Sequence, residues 1–118
     1  MIMNNTTKNF TVEQHPITEP LDDAHYDALF YFRSYGALIG ILYVRKEGLA
    51  QLHLMSNYMD YSKTTKEHIK WALGWSVYYF GDPFVKLPCE WRTIKTHTPR
   101  YKEIKTGLVY CDIKVTII

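Results

Sequence analysis

The longest apolar run in the chain, Ala37 to Val44 (ALIGILYV), has no polar position on either face, which predicts a central strand covered on both sides. Downstream, Leu49 to Met55 alternates instead, with Leu52 and Leu54 set against Gln51, His53 and Met55. That is the period-2 pattern of a half-buried strand. Arg45-Lys46-Glu47-Gly48 turns the chain between the two. Upstream, the aromatic stretch Ala28 to Arg33 reads as a strand that ends at the Ser34-Tyr35-Gly36 turn. Three antiparallel strands in a meander follow. From about Thr64 to Phe80 the period changes: Ile69, Ala72, Leu73, Val77 and Phe80 recur at helical spacing. Trp71, Trp75 and Tyr78 form a second stripe beside them, so the C-terminal half of this helix is apolar nearly all round. One stripe packs on the sheet. The other needs a second cover, either the N-terminal segment or another subunit, since Trp and Tyr are favoured interface anchors. A homo-oligomer through Trp71, Trp75 and Tyr78 is the second option.

Gly81-Asp82-Pro83 stops the helix, and Phe84 to Ile94 reads as a strand interrupted at Pro88. Thr98 to Lys105 has the form of a short helix, with Thr98 as N-cap, Pro99 at the first helical position and Gly107 closing it. Leu108 to Ile118, rich in β-branched residues, predicts a last strand, while residues 1–26 are polar and irregular, with Pro16 and Pro20 blocking regular structure. The expected fold is a single α/β (α+β) domain over residues 1–118. It has a mainly antiparallel mixed sheet, one long central helix and a short C-terminal helix.

Composition narrows the function classes. A chain of 118 residues with 47% hydrophobic and 22% charged residues is globular and sufficient for one core. A net charge of +2 makes a nucleic-acid partner unlikely by composition, and the densest basic group (Arg92, Lys95, Arg100, Lys102, Lys105) is interspersed with Glu103 and apolar residues. No apolar run approaches the ~20 residues of a membrane span, and MIMNNTTKNF lacks the apolar core of a signal peptide. A cytoplasmic location with no membrane contact is expected. Cys89 and Cys111 sit in apolar, strand-like surroundings without metal-ligand spacing, which predicts buried, reduced thiols and no metal. A Cys–His pair using His53 or His97 stays open as an alternative.

Candidate chemistry concentrates where the alternating strand runs into the helix. A strand leading to a helix N-terminus presents backbone N–H groups, a common place to hold a phosphorylated cofactor. The junction reads Asp60-Tyr61-Ser62-Lys63-Thr64-Thr65-Lys66-Glu67 and contains no glycine. The phrases GALIGILYV, LHLM, IKWALGWSVYYFG and KTGLVY, in this order and spacing over about Ala28 to Asp112, resemble the GNAT N-acetyltransferase superfamily, and most of all its small, divergent bacteriophage-encoded members.

That resemblance implies an acetyl-CoA site. The pantetheine would run beside Leu54, Met55 and Ser56, and the pyrophosphate would sit on Ser62, Lys63, Thr64, Thr65 and Lys66. The family's Q/R-x-x-G-x-G/A loop falls on about Tyr61 to Thr65, with Lys63 where a glycine is expected and Thr65 where Gly or Ala is. It also implies a general base, His53 or Glu90, and an acid, Tyr101, although Glu103 holds the position where the family's tyrosine usually lies. A lone histidine on a half-buried strand is more often structural than catalytic. Two functions follow from the resemblance. One is transfer of acetyl from acetyl-CoA to a small-molecule or protein amine. The other is a catalytically degenerate relative that binds a host or phage protein, in the host cytoplasm if phage-encoded.

Overall fold

The computed structural model describes residues 2–7, 9–15, 26–45, 48–81 and 98–118. Among these described residues the strands are β1 (Ile2–Thr7), β2 (Phe10–His15), β3 (Tyr26–Ser34), β4 (Ala37–Arg45), β5 (Ala50–Leu54), β6 (Val109–Tyr110) and β7 (Ile113–Ile117). They form one sheet in the order β1-β2-β3-β4-β5-β7-β6, and the long helix of the described residues is α1 (Lys63–Gly81). Every pairing among the described residues is antiparallel except that between β5, which precedes α1, and β7, the last strand. No helix among the described residues is long and apolar enough to cross a membrane.

The meander of β3, β4 and β5 forms as the sequence pattern predicts, but the expectation that β4 is covered on both sides requires correction. Leu42 and Val44 are buried under α1, while Ile41 and Tyr43 on the other face stay partly exposed, because among the described residues the helix covers one face of the sheet. Phe30, Phe32, Leu42, Val44, Leu52 and Leu54 point to α1, and its face answers with Ile69, Ala72, Leu73, Trp75 and Val77. Gly40 interrupts an otherwise bulky β4 for a steric reason. A Cβ there would lie 3.1 Å from Leu54 Cδ2 and 3.3 Å from the carbonyl oxygen of His53, so only glycine fits the ladder unstrained.

The N-terminal reading requires correction. Within the span expected to be irregular, 1–26, the chain forms the β1/β2 hairpin, and β2 pairs with β3 from Phe10↔Ser34 to His15↔Leu29. The drive is burial: Phe10 and Val12 alternate with Thr11 and Glu13, and both are fully buried against α1. The C-terminal strand is also two pieces. Cys111 and Asp112 both adopt positive φ (49° and 66°), the backbone of a two-residue mirror-image turn, so β6 folds back on β7 with Tyr110 opposite Ile113. Cys111 is therefore exposed at a hairpin tip, not buried as expected.

The short helix reduces to one 3₁₀ turn, Tyr101–Glu103, preceded by Arg100 without a side-chain cap, so Thr98 does not cap it. A second turn is pre-empted because the Gly107 N–H is taken by the Val115 carbonyl across to β7. The expected strand at Phe84–Ile94, with Cys89 and Glu90, lies outside the described residues.

The second aromatic stripe of α1 also resolves differently for its central member. Trp75 is 0% exposed, lies parallel to Tyr79 (5.4 Å between centroids, 13°) and meets Phe30 and Phe32 at 5.0 and 5.5 Å. It belongs to the core and is not available as an interface anchor. Trp71, half-buried, is met edge-on by Phe10 of β2 at 5.6 Å, so the N-terminal hairpin supplies part of the cover. Residues 72–77 are buried without a break within the chain itself.

Candidate functional site

The loop from β5 to α1 begins with a 3₁₀ turn at Ser56–Tyr58 and ends at Ser62, which caps the helix. Ser62 Oγ accepts the Thr65 N–H (3.0 Å) and donates to Thr65 Oγ1 (2.9 Å), and the Ser62 carbonyl accepts the first intrahelical bond from Lys66. Thr65 is buried by this arrangement, while Ser62, Lys63 and Thr64 are exposed. Lys66 turns back to Asp60 (3.5 Å) and lies 5.5 Å over the ring of Tyr101. No acidic residue occupies the first turn of α1, so Lys63 and Lys66 leave a positive helix start.

Tyr101, expected as an acid, clasps this loop. Its hydroxyl accepts the Asp60 N–H at 3.0 Å and approaches Met59 Sδ at 4.0 Å. Burial raises its pKa and the Asp60 carboxylate adds to that, which outweighs the opposing backbone hydrogen bond. Asp60 itself has φ +62°, a conformation that an Asp tolerates, held here by the tyrosine and by Lys66.

His53 projects from the other side. Leu52 and Leu54 face α1, so the alternation of β5 puts His53 on the opposite sheet face, beside Ile41 of β4 and Thr116 of β7. Its ring lies 4.8 Å from that of Tyr43, and burial lowers its pKa, which favours the neutral imidazole. The fold thus brings Tyr101 to Lys66 and to the helix start, but sets His53 across the sheet from them. Glu90 lies outside the described residues.

The segment expected beside a pantetheine is fully engaged by the chain. The N–H of Met55 donates to Ile39 (3.0 Å) and that of Ser56 to Ile118 (2.7 Å), while the Leu54 carbonyl accepts from Ile118 (2.9 Å). The carbonyls of Met55 and Ser56 accept from Tyr58 and Met59. Strands β5 and β7 stay in register from Ala50↔Ile113 to Leu54↔Ile117, with no divergence between them.

Two features escaped sequence reading. On the sheet face away from α1, Glu13 takes hydrogen bonds from Arg33 (2.7 Å) and His15 (2.9 Å), and His15 lies nearly parallel to Tyr31 at 3.9 Å. Burial works to raise the Glu13 pKa, but the bonds from His15 and Arg33 prevail and hold it below the usual value. Inside, Ser34 Oγ and His68 Nδ1 are 2.6 Å apart and buried. The alternation of Thr11 and Glu13 with Phe10 and Val12 carried a signal for the first; nothing local signals the second. Among the described residues, no group of three or more His, Cys, Asp or Glu is placed to hold a metal ion.

Comparison with protein-family models, with curated proteins and with solved structures finds no match to this chain.

Proposed function

We propose that this chain is a non-catalytic domain of acyltransferase-like plan that acts by binding a polypeptide. One observation carries the reading. The backbone of Leu54–Ser56, where a pantetheine would pair, already spends its hydrogen bonds on Ile39, Ile118, Tyr58 and Met59. The separation of His53 from Tyr101 by the sheet supports it, because a base and an acid that serve one amine must reach the same atom. The face away from α1 has the makings of a contact surface. Half-exposed Leu29, Tyr31, Ile41 and Tyr43 form adjoining cross-strand pairs, rimmed by Glu13, Arg33, His15 and His53. An apolar, aromatic centre within a polar rim is the usual anatomy of a protein contact.

Acetyl transfer from acetyl-CoA to an amine is the competing reading. The exposed Lys63 and Thr64 at a helix start with no acidic residue in its first turn favour it. Thermal melting with and without millimolar acetyl-CoA separates the two. No change in Tm is expected. A site at a hundredfold excess over its Kd would add about 2.7 kcal/mol, several degrees for a domain of this size. A shift of that order, abolished by Lys63→Glu and accompanied by lost hydrogen-exchange protection at the Ile118 amide, overturns the binding reading and leaves acetyl transfer in its place.

A further inference from the structure

His68 is a buried, titratable side chain that neither reading uses. It stands on α1 at the point where three parts of the fold meet. Its Nδ1 is 2.6 Å from Ser34 Oγ at the end of β3, and both residues are buried, at 2% and 4% exposure. Phe10 of β2 lies 5.5 Å from its ring, Tyr35 of the β3–β4 turn 5.7 Å, and Trp71 of α1 itself 4.9 Å. Tyr35 is in turn fixed to the tip of the N-terminal hairpin, its N–H donating to the Asn9 carbonyl at 2.8 Å, with φ +51°. Hairpin, turn and helix therefore share one imidazole as their common neighbour.

We infer that His68 is a proton-sensitive latch, which fastens the β1/β2 hairpin and the β3–β4 turn to α1 when neutral and releases them when charged. A neutral imidazole can accept from the Ser34 hydroxyl or donate to it. An imidazolium can only donate, so the Ser34 O–H must find another acceptor in a corner lined by Phe10, Tyr35 and Trp71. Among the described residues, the new charge has no carboxylate in contact. From α1 the nearest is Glu67, which is committed to Lys70 at 3.6 Å. From β2 the facing side chain is the uncharged Phe10, and from the turn the phenol of Tyr35 and the hydroxyl of Ser34. Arg33 lies on the far face of the sheet, bound to Glu13. Interaction with the aromatic rings and with Glu67 offsets part of the cost of charging; burial outweighs them and lowers the pKa.

The sign follows. A histidine with a depressed folded pKa stabilises the closed form fully above its unfolded value of 6.5, and that contribution is lost as pH falls from there through the folded pKa. What opens is the corner that covers Phe10 and Trp71, so acidification uncovers an aromatic surface.

Hydrogen-exchange protection factors of the full chain, measured between pH 7.5 and 5, test this together with the NMR titration of the His68 ring. Protection at Phe10, Val12 and Tyr35 is expected to fall toward about tenfold per pH unit, the limit for one proton. Amides of β4 should hold theirs, and the fall should track the His68 titration. In His68→Gln, which keeps a hydrogen-bonding side chain without a titrating proton, the dependence should vanish. If the hairpin amides lose protection equally in His68→Gln, or in the wild type independently of the His68 titration, the latch is refuted. Should the variant not fold, the wild-type comparison alone decides.

Discussion

Trp75 gives the sharpest test of how the core is built. Its indole is fully buried, and among the described residues its Nε1–H meets no hydrogen-bond acceptor. Around it stand Tyr79, Phe30 and Phe32, all ring carbon at contact distance. A buried donor without an acceptor costs about 1–3 kcal/mol. Replacing Trp75 by phenylalanine would remove that cost but also empty the space of the second ring, and the two effects oppose each other. Benzothienylalanine, placed at position 75 by site-specific incorporation, is cleaner: sulfur replaces the N–H and the shape is kept. Stability should rise by about 1–2 kcal/mol, which is roughly 3–6 °C in Tm for each kcal/mol at this size. Differential scanning calorimetry reads the shift. An unchanged or lowered Tm at position 75 would mean that the indole N–H is satisfied, for instance by a ring face, and the argument for a buried orphan would fall.

Two further outcomes follow from the described geometry. Gly40→Ala should destabilise by about 1–3 kcal/mol in urea unfolding, because the new Cβ meets the His53 carbonyl oxygen at 3.3 Å and a backbone atom cannot turn aside as Leu54 Cδ2 can. A neutral or stabilised Gly40→Ala would refute this and show that β4 and β5 can part to admit the new Cβ. Glu13→Gln should lower Tm at pH 7 and lose its effect in acid. Its depressed pKa means a contribution present above the unfolded value of 4.5 and lost as pH falls through the folded one. A Tm difference that persists at pH 2 would contradict that origin.

The legible parts of the chain were those whose signal is local. The unbroken apolar run Ala37–Val44 marked an inner strand, although only its α1 face proved fully buried, and the change of period from about Thr64 marks α1 to within a residue of its observed start at Lys63. The N-terminal hairpin was legible in part: Phe10 and Val12 alternate correctly, but Asn4, Asn5, Thr6 and Thr7 give β1 no apolar face to announce it. The turn at Cys111-Asp112 was hidden for a different reason. It uses neither Gly nor Pro, and it sits inside a run of strand-forming residues. Trp75 shows the limit of helical periodicity, since two stripes on one helix do not say which is innermost until the sheet beneath is in place. The Ser34–His68 pair joins positions 34 residues apart and has no sequence signature.

For the candidate site the division is stricter. The sequence located the strand end and helix start correctly, yet whether backbone donors there are free depends on a strand about sixty residues further along. Strand β7 aligns with β5 through to Leu54↔Ile117, and the next residue, Ile118, both accepts from Ser56 and donates to Leu54. An acyl-CoA arm laid along Leu54–Ser56 must displace those two bonds. At about 0.5–1.5 kcal/mol net for each, the cost is roughly 1–3 kcal/mol. Set against the ~8 kcal/mol of a micromolar ligand, that cost weakens acyl-CoA binding by roughly 5- to 150-fold. The consequence is specific. If acetyl-CoA did bind, the Ile118 amide would lose hydrogen-exchange protection while those of β3 and β4 held theirs. If the ligand instead left Ile118 protected and still raised Tm, it would be held at the helix start by Lys63 and Lys66 alone, and a thiol ester brought there would have no route along β5.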